Sequence, residues 1–103
     1  MTSYRLVITR RAATDLDRIH RYIAKASPHN AAKVLGGIFV AIDALTLTPH
    51  RNVVAVQPTS RLDPVRSLPV DPYMVFFRVV DSKRIGRLLR VRHGSMRPPR
   101  RFG

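Results

Sequence analysis

Apolar and polar positions first alternate with a period of two. Tyr4, Leu6 and Ile8 interleave with Arg5 and Val7, which predicts a short N-terminal strand. Thr9 follows as a candidate helix cap. From Ala12 the spacing lengthens. Leu16, Ile19, His20, Ile23 and Ala26 recur at the intervals of one helical face. Asp15 and Asp17 lie toward its N-terminal end and Lys25 near its C-terminus, as the helix dipole favours. Ser27-Pro28 reads as a cap and first position of a second helix running to about Leu47. Its apolar face is Ala31, Leu35, Ile38, Phe39, Ile42 and Leu45. Gly36-Gly37 in mid-helix costs about 1 kcal/mol per residue relative to alanine, which predicts close approach of a neighbouring backbone there. Pro49 stops the helix, and the near absence of a linker predicts an antiparallel helix hairpin.

Residues 48–64 are weakly patterned. Val53, Val54 and Val56 fit either a short strand or a plug at the core edge. Three strands then close the chain. Val65 to Leu68 is short. In the next, Tyr73, Val75, Phe77 and Val79 alternate with Met74, Phe76, Arg78 and Val80, so both faces are largely apolar and the strand is central. After a turn at Asp81-Ser82-Lys83, the span Ile85–Arg92 sets Leu89 and Val91 against Leu88, Arg90 and Arg92. The short connections predict an antiparallel meander. Gly94 to Gly103 reads as an extended Arg/Pro-rich tail. The fold class is α+β: strand, two-helix hairpin, three-strand meander, in a single domain spanning 1–103.

Charge changes this picture more than length does. The 103 residues carry a formal net charge of +13, from 19 Lys+Arg against 6 Asp+Glu. All the acids are aspartates, and none follows Asp81. Such a field attracts polyanions: RNA, DNA or an acidic protein. With no cysteine, a disulfide scaffold, a Cys-based zinc site and a thiol nucleophile are excluded. No apolar run approaches the roughly 18 residues of a membrane span, and the N-terminus lacks a signal-peptide core. A cytoplasmic chain with no membrane association is the expectation.

The ordered set of fragments resembles the ParE/RelE superfamily of bacterial toxins, and is most similar to the ParE branch. It comprises Ala12, Asp15-Leu16, Ile19 and Tyr22-Ile23, then Ser27-Pro28, Ala31-Ala32, Ile42, Leu45 and Pro49. Val65-Arg66-Ser67-Leu68, the run Pro72–Val79 and the run Leu89–Gly94 complete it. The resemblance implies a helix hairpin on a small antiparallel sheet and a cognate antitoxin, acidic and ParD-like, in a hetero-oligomer. It implies no cofactor. For the ParE branch it implies DNA gyrase or another topoisomerase as target, with no chemistry by the toxin; for the RelE branch, cleavage of mRNA on the ribosome.

The residues set these expectations into places. An antitoxin segment must cover apolar surface and answer positive charge. Ile19, Tyr22 and Ile23 on the first helix and Leu35, Phe39 and Ile42 on the second are the candidates. Arg90, Arg92, Arg97, Arg100 and Arg101 are the candidate target contacts. Direct nucleic-acid binding ranks second. Cleavage through a 2′-hydroxyl needs a base, an acid and cations around the phosphorane. Arg66, Arg78, Arg92 and His93 are the alternative ribonuclease set. Against it, the chain has no glutamate, and no tyrosine follows Tyr73. Asp15 and Asp17, two apart on a helix, do not face one another as an acid/base pair. His20, His29 and His50 are too dispersed for a metal site, and no metal is expected.

Overall fold

The computed structural model describes residues 4–47, 53–56 and 63–96. Strand β1 spans Arg5–Ile8, helix α1 Arg10–Ala24 and helix α2 Pro28–Leu45. Strands β2 (Val53–Val56), β3 (Val65–Val70), β4 (Tyr73–Val80) and β5 (Ile85–His93) follow. A 3₁₀ turn at Asp81–Lys83 joins β4 to β5. The sheet order is β1-β5-β4-β3-β2. Strands β2 to β5 pair antiparallel in succession, and β1 pairs with β5 in parallel. The predicted three-strand meander is therefore present and has gained β2, which decides the open reading of Val53–Val56 in favour of a strand. The remainder of 48–64 lies outside the described residues, apart from Asp63 and Pro64.

Both helix starts follow their capping residues. Thr9 Oγ1 accepts from the Ala12 amide at 3.3 Å and also donates to the Leu88 carbonyl at 2.7 Å. One side chain thus caps α1 and ties it to β5. Ser27 Oγ accepts from the Asn30 amide at 3.1 Å, with Pro28 at the first helical position. α1 packs on β5 and on α2, and α2 reaches β3. The helices cover one face of the sheet. Ala12, Leu16, Ile38, Ile42 and Leu45 meet Val75, Phe77, Val79, Leu88 and Val91 in the main core. On the opposite, outer face, Val65, Phe76 and Leu89 form a second buried cluster. β4 therefore buries side chains on both faces, as expected of the central strand of five.

Three expectations need correction. Leu88 and Val91, three positions apart, share the helix-side core, whereas Leu89 belongs to the outer cluster. Strict alternation cannot do this. The register slips by one residue between Phe76 and Phe77, which face Arg90 and Leu88. That is a β-bulge at Leu89, and it turns the rest of β5 over. Second, no backbone among the described residues approaches Gly36 or Gly37; a Cβ built on either meets nothing within 4 Å there. Third, Phe39 points away from the core and is 44% exposed, beside Val40 at 73%.

Candidate functional site

The bulge determines where the last strand's charges go. Arg90 stands in register with outer-facing Phe76, and its long side chain still carries the guanidinium to Asp15 on α1. Its Nε and Nη2 donate to Asp15 Oδ2 and Oδ1 at 2.7 and 3.1 Å, and the Val91 amide donates to Oδ2 at 3.0 Å. Asp15 is the buried charged residue among those described. Hydrogen bonding to its carboxylate raises the Arg90 pKa, against an opposing effect of burial. Two corrections follow. Asp15 is not a dipole partner of α1, and the Arg90 guanidinium is committed to Asp15 instead of standing ready for a target. The signal was in the sequence: Asp15 is three after Ala12 and four before Ile19, on the apolar face. A carboxylate there has to find a partner.

Above this ion pair, α1 and the end of β5 enclose a groove of about 500 Å³. Ile19 and Val91 supply apolar surface, with Tyr22, Tyr73 and Met96 beside them. Arg18, Arg92 and His93 line it as well. Among the described residues neither Arg18 nor Arg92 is neutralised by an ion pair. His93 ends β5. Its Nδ1 accepts from the Ser95 amide at 3.1 Å and lies 2.7 Å from Ser95 Oγ. An Nδ1 engaged in this way leaves Nε2 to carry the proton of the neutral ring. The ring meets Tyr73 edge-on, with centroids 5.6 Å apart. Burial, then the nearby Tyr22, raises the Tyr73 pKa. A second groove, of about 560 Å³, lies between α2 and the β3–β4 turn and takes in Ile23, Val34, Gly37 and Tyr73.

The antitoxin-binding candidates divide accordingly. Ile19 and Tyr22 line the first groove and Ile23 the second. Leu35 is half-buried against the core, and Phe39 is exposed. Ile42 is fully buried, so it supports the fold and offers no surface to a partner. Of the target-binding candidates, Arg92 lies at the groove, Arg90 is paired, and Arg97, Arg100 and Arg101 lie outside the described residues, as does the tail beyond Met96.

The ribonuclease set is not gathered. Arg66 stands opposite Phe77 on the helix side. Arg78 and Arg92 occupy the outer face, opposite Arg87 and Met74. Arg78 and Tyr73, the partner of His93, are five residues apart on β4, or about 17 Å at 3.3–3.4 Å per residue. General acid–base work needs hydrogen-bond reach of the reacting atoms. Among the described residues no cluster of three His, Cys, Asp or Glu side chains forms a metal site. No described helix is long and apolar enough to cross a membrane.

Residues 6–98 match the family model of the ParE toxin of the type II toxin–antitoxin system parDE. The chain belongs to the ParE toxin family. It is thus a type II toxin of the ParE/RelE superfamily. Among solved structures it is similar to the chromosomal ParDE system of P. aeruginosa, at 28% identity and a TM-score of 0.68, covering 88% of this chain and 96% of that one. The RelBE2 toxin–antitoxin complex of Mycobacterium tuberculosis shares the fold at 23% identity and a TM-score of 0.60, over 88% and 98% of the two chains. The archaeal RelE–RelB complex of Pyrococcus horikoshii OT3 does so at 14% identity and 0.64, over 92% and 99%. No curated protein matches. The ParE-family order of strand, hairpin and antiparallel strands is the one expected from periodicity.

Proposed function

We propose that this ParE-family toxin inhibits a DNA topoisomerase of the gyrase type by binding, without chemistry of its own, and that an acidic antitoxin segment silences it. The carrying observation is the α1–β5 groove. Its apolar floor suits an inserted side chain, and Arg18 and Arg92 remain for carboxylates once Asp15 has consumed Arg90. An acidic amphipathic segment that folds on binding fits both demands. Ile19 and Tyr22 are its central contacts, with Ile23, Leu35 and Phe39 as the extension across the hairpin. The related ParDE and RelBE structures, named as toxin–antitoxin systems, support a partner of this kind. Arg92 with Arg97, Arg100 and Arg101 is the proposed target-binding set. The dispersal of Arg66, Arg78 and His93 weighs against the ribonuclease alternative.

Two measurements test this reading. Purified toxin added to gyrase and DNA should accumulate cleaved DNA, and antitoxin should reverse it. Codon-linked cuts in translated mRNA, with gyrase unaffected, would show the ribonuclease instead. Tyr22→Ala together with Arg18→Glu should weaken antitoxin binding by about tenfold or more, since exposed aromatic and arginine anchors carry most interface energy. Unchanged affinity would remove the groove from the interface.

A further inference from the structure

At the far end of the β4–β5 pair from the groove, Arg78 and Arg87 stand directly opposite one another. Opposed residues share a face, and Val75, Phe77 and Val79 fix the other face of β4 toward the helices. Arg78 and Arg87 therefore lie on the outer face. The neighbouring strand adds to them: Val7 pairs with Arg87, and Arg5, two residues earlier, lies on the same side. Like charges directly opposite across strands are destabilising. Among the described residues neither Arg78, Arg87 nor Arg5 forms an ion pair, although all six acids of the chain are described. The nearest compensation is Asp63, whose backbone carbonyl accepts from Arg78 Nε at 3.1 Å. Burial and the proximity of Arg87 lower the Arg78 pKa, and Asp63 only partly opposes them.

We propose that Arg5, Arg78 and Arg87 form a binding surface for the phosphate backbone of nucleic acid. One observation chooses this occupant over an acidic protein. Neither groove described above is lined by any of the three arginines. A protein segment needs a pocket for its anchoring side chains, whereas a polyanionic backbone is held by charge and by counterion release. The guanidinium fork can hold a phosphate bidentately, as it can a carboxylate, so its geometry suits this occupant without selecting it. The surface lies on the opposite side of the sheet from the helix hairpin, so it stays open when a partner covers that hairpin.

The test uses the full chain and a fluorescent DNA duplex of about 20 base pairs over a salt series. Arg5→Gln with Arg87→Gln should lower affinity by about tenfold or more near 0.1 M salt and reduce the log–log salt slope by about 1.8, at 0.9 per lost phosphate contact. Unchanged affinity and slope would overturn the proposal. So would an acidic peptide such as polyglutamate binding these arginines while the duplex does not bind. Arg78→Gln is the weaker probe, because Arg78 also holds the Asp63 carbonyl. Thermal unfolding of Arg87→Gln is the second measurement. At low salt its midpoint should rise, reporting the opposed charges, and a fall would show them to be compensated. The gyrase reading is not at stake in either arm.

Discussion

The two ends of the β4–β5 pair treat arginine in opposite ways. At one end Arg90 meets Asp15 in a two-oxygen ion pair whose carboxylate also takes the Val91 amide. At the other, Arg78 meets Arg87. The carboxylate holds the Arg90 pKa up, while burial and a second guanidinium push that of Arg78 down. With six acids for nineteen bases, carboxylates are scarce in this chain. The buried one has gone where α1 must stay on β5. Such a pair fixes the position of α1 more than it adds net stability, because desolvation opposes the attraction. Arg18, Arg78, Arg87 and Arg92 have no ion pair among the described residues.

The sharpest way to break the contrast is Asp15→Ala. It leaves Arg90, whose side chain is 14% exposed, without its counter-ion. Removing one member of a buried pair costs about 3–5 kcal/mol, readable by urea denaturation. The double variant Asp15→Leu/Arg90→Met should recover most of that loss. If Asp15→Ala alone proved neutral, the two ends of the sheet would be energetically alike, and the groove floor would not depend on the pair.

Smaller effects sharpen it away from the charges. Gly36 and Gly37 stand in a helix with nothing among the described residues within 4 Å of an added Cβ. Alanine at either position should stabilise the free chain by up to about 1 kcal/mol, measured as a higher urea midpoint. A loss would reveal a close approach that the described residues do not make.

The fold was legible because its signals are local. The change of period at Ala12, the caps at Thr9 and Ser27, and the doubly apolar β4 each act within a few residues. The misread features are not local. Asp15 finds Arg90 75 residues away. The bulge at Leu89 inserts one residue, which periodicity cannot distinguish from continued alternation, and it brings Val91 rather than Arg90 into the helix-side core beside Leu88. Tyr73 joins the groove through the strand register with His93. The opposed Arg78 and Arg87 became visible only once β4 and β5 were aligned across their turn. Position on a face could be read from the chain; the partner across the face could not.

The smallest expected effect lies at the uncompensated end. Arg87→Gln removes one of two opposed cations, and a cross-strand pair contributes about 0.2–1 kcal/mol. Arg87 is exposed, so solvent and salt screening put the gain at the lower end of that range. The gain should shrink between about 0.01 M and 1 M salt, as the Debye length falls from about 30 to 3 Å. Arg18→Gln serves as the control. Arg18 is exposed with no ion pair among the described residues, but it stands on a helix with no guanidinium directly opposite. Its removal should leave both the midpoint and the salt dependence close to those of the parent. If the two variants respond to salt alike, the repulsion belongs to the net charge of the whole chain. If only Arg87→Gln responds, it belongs to the pair.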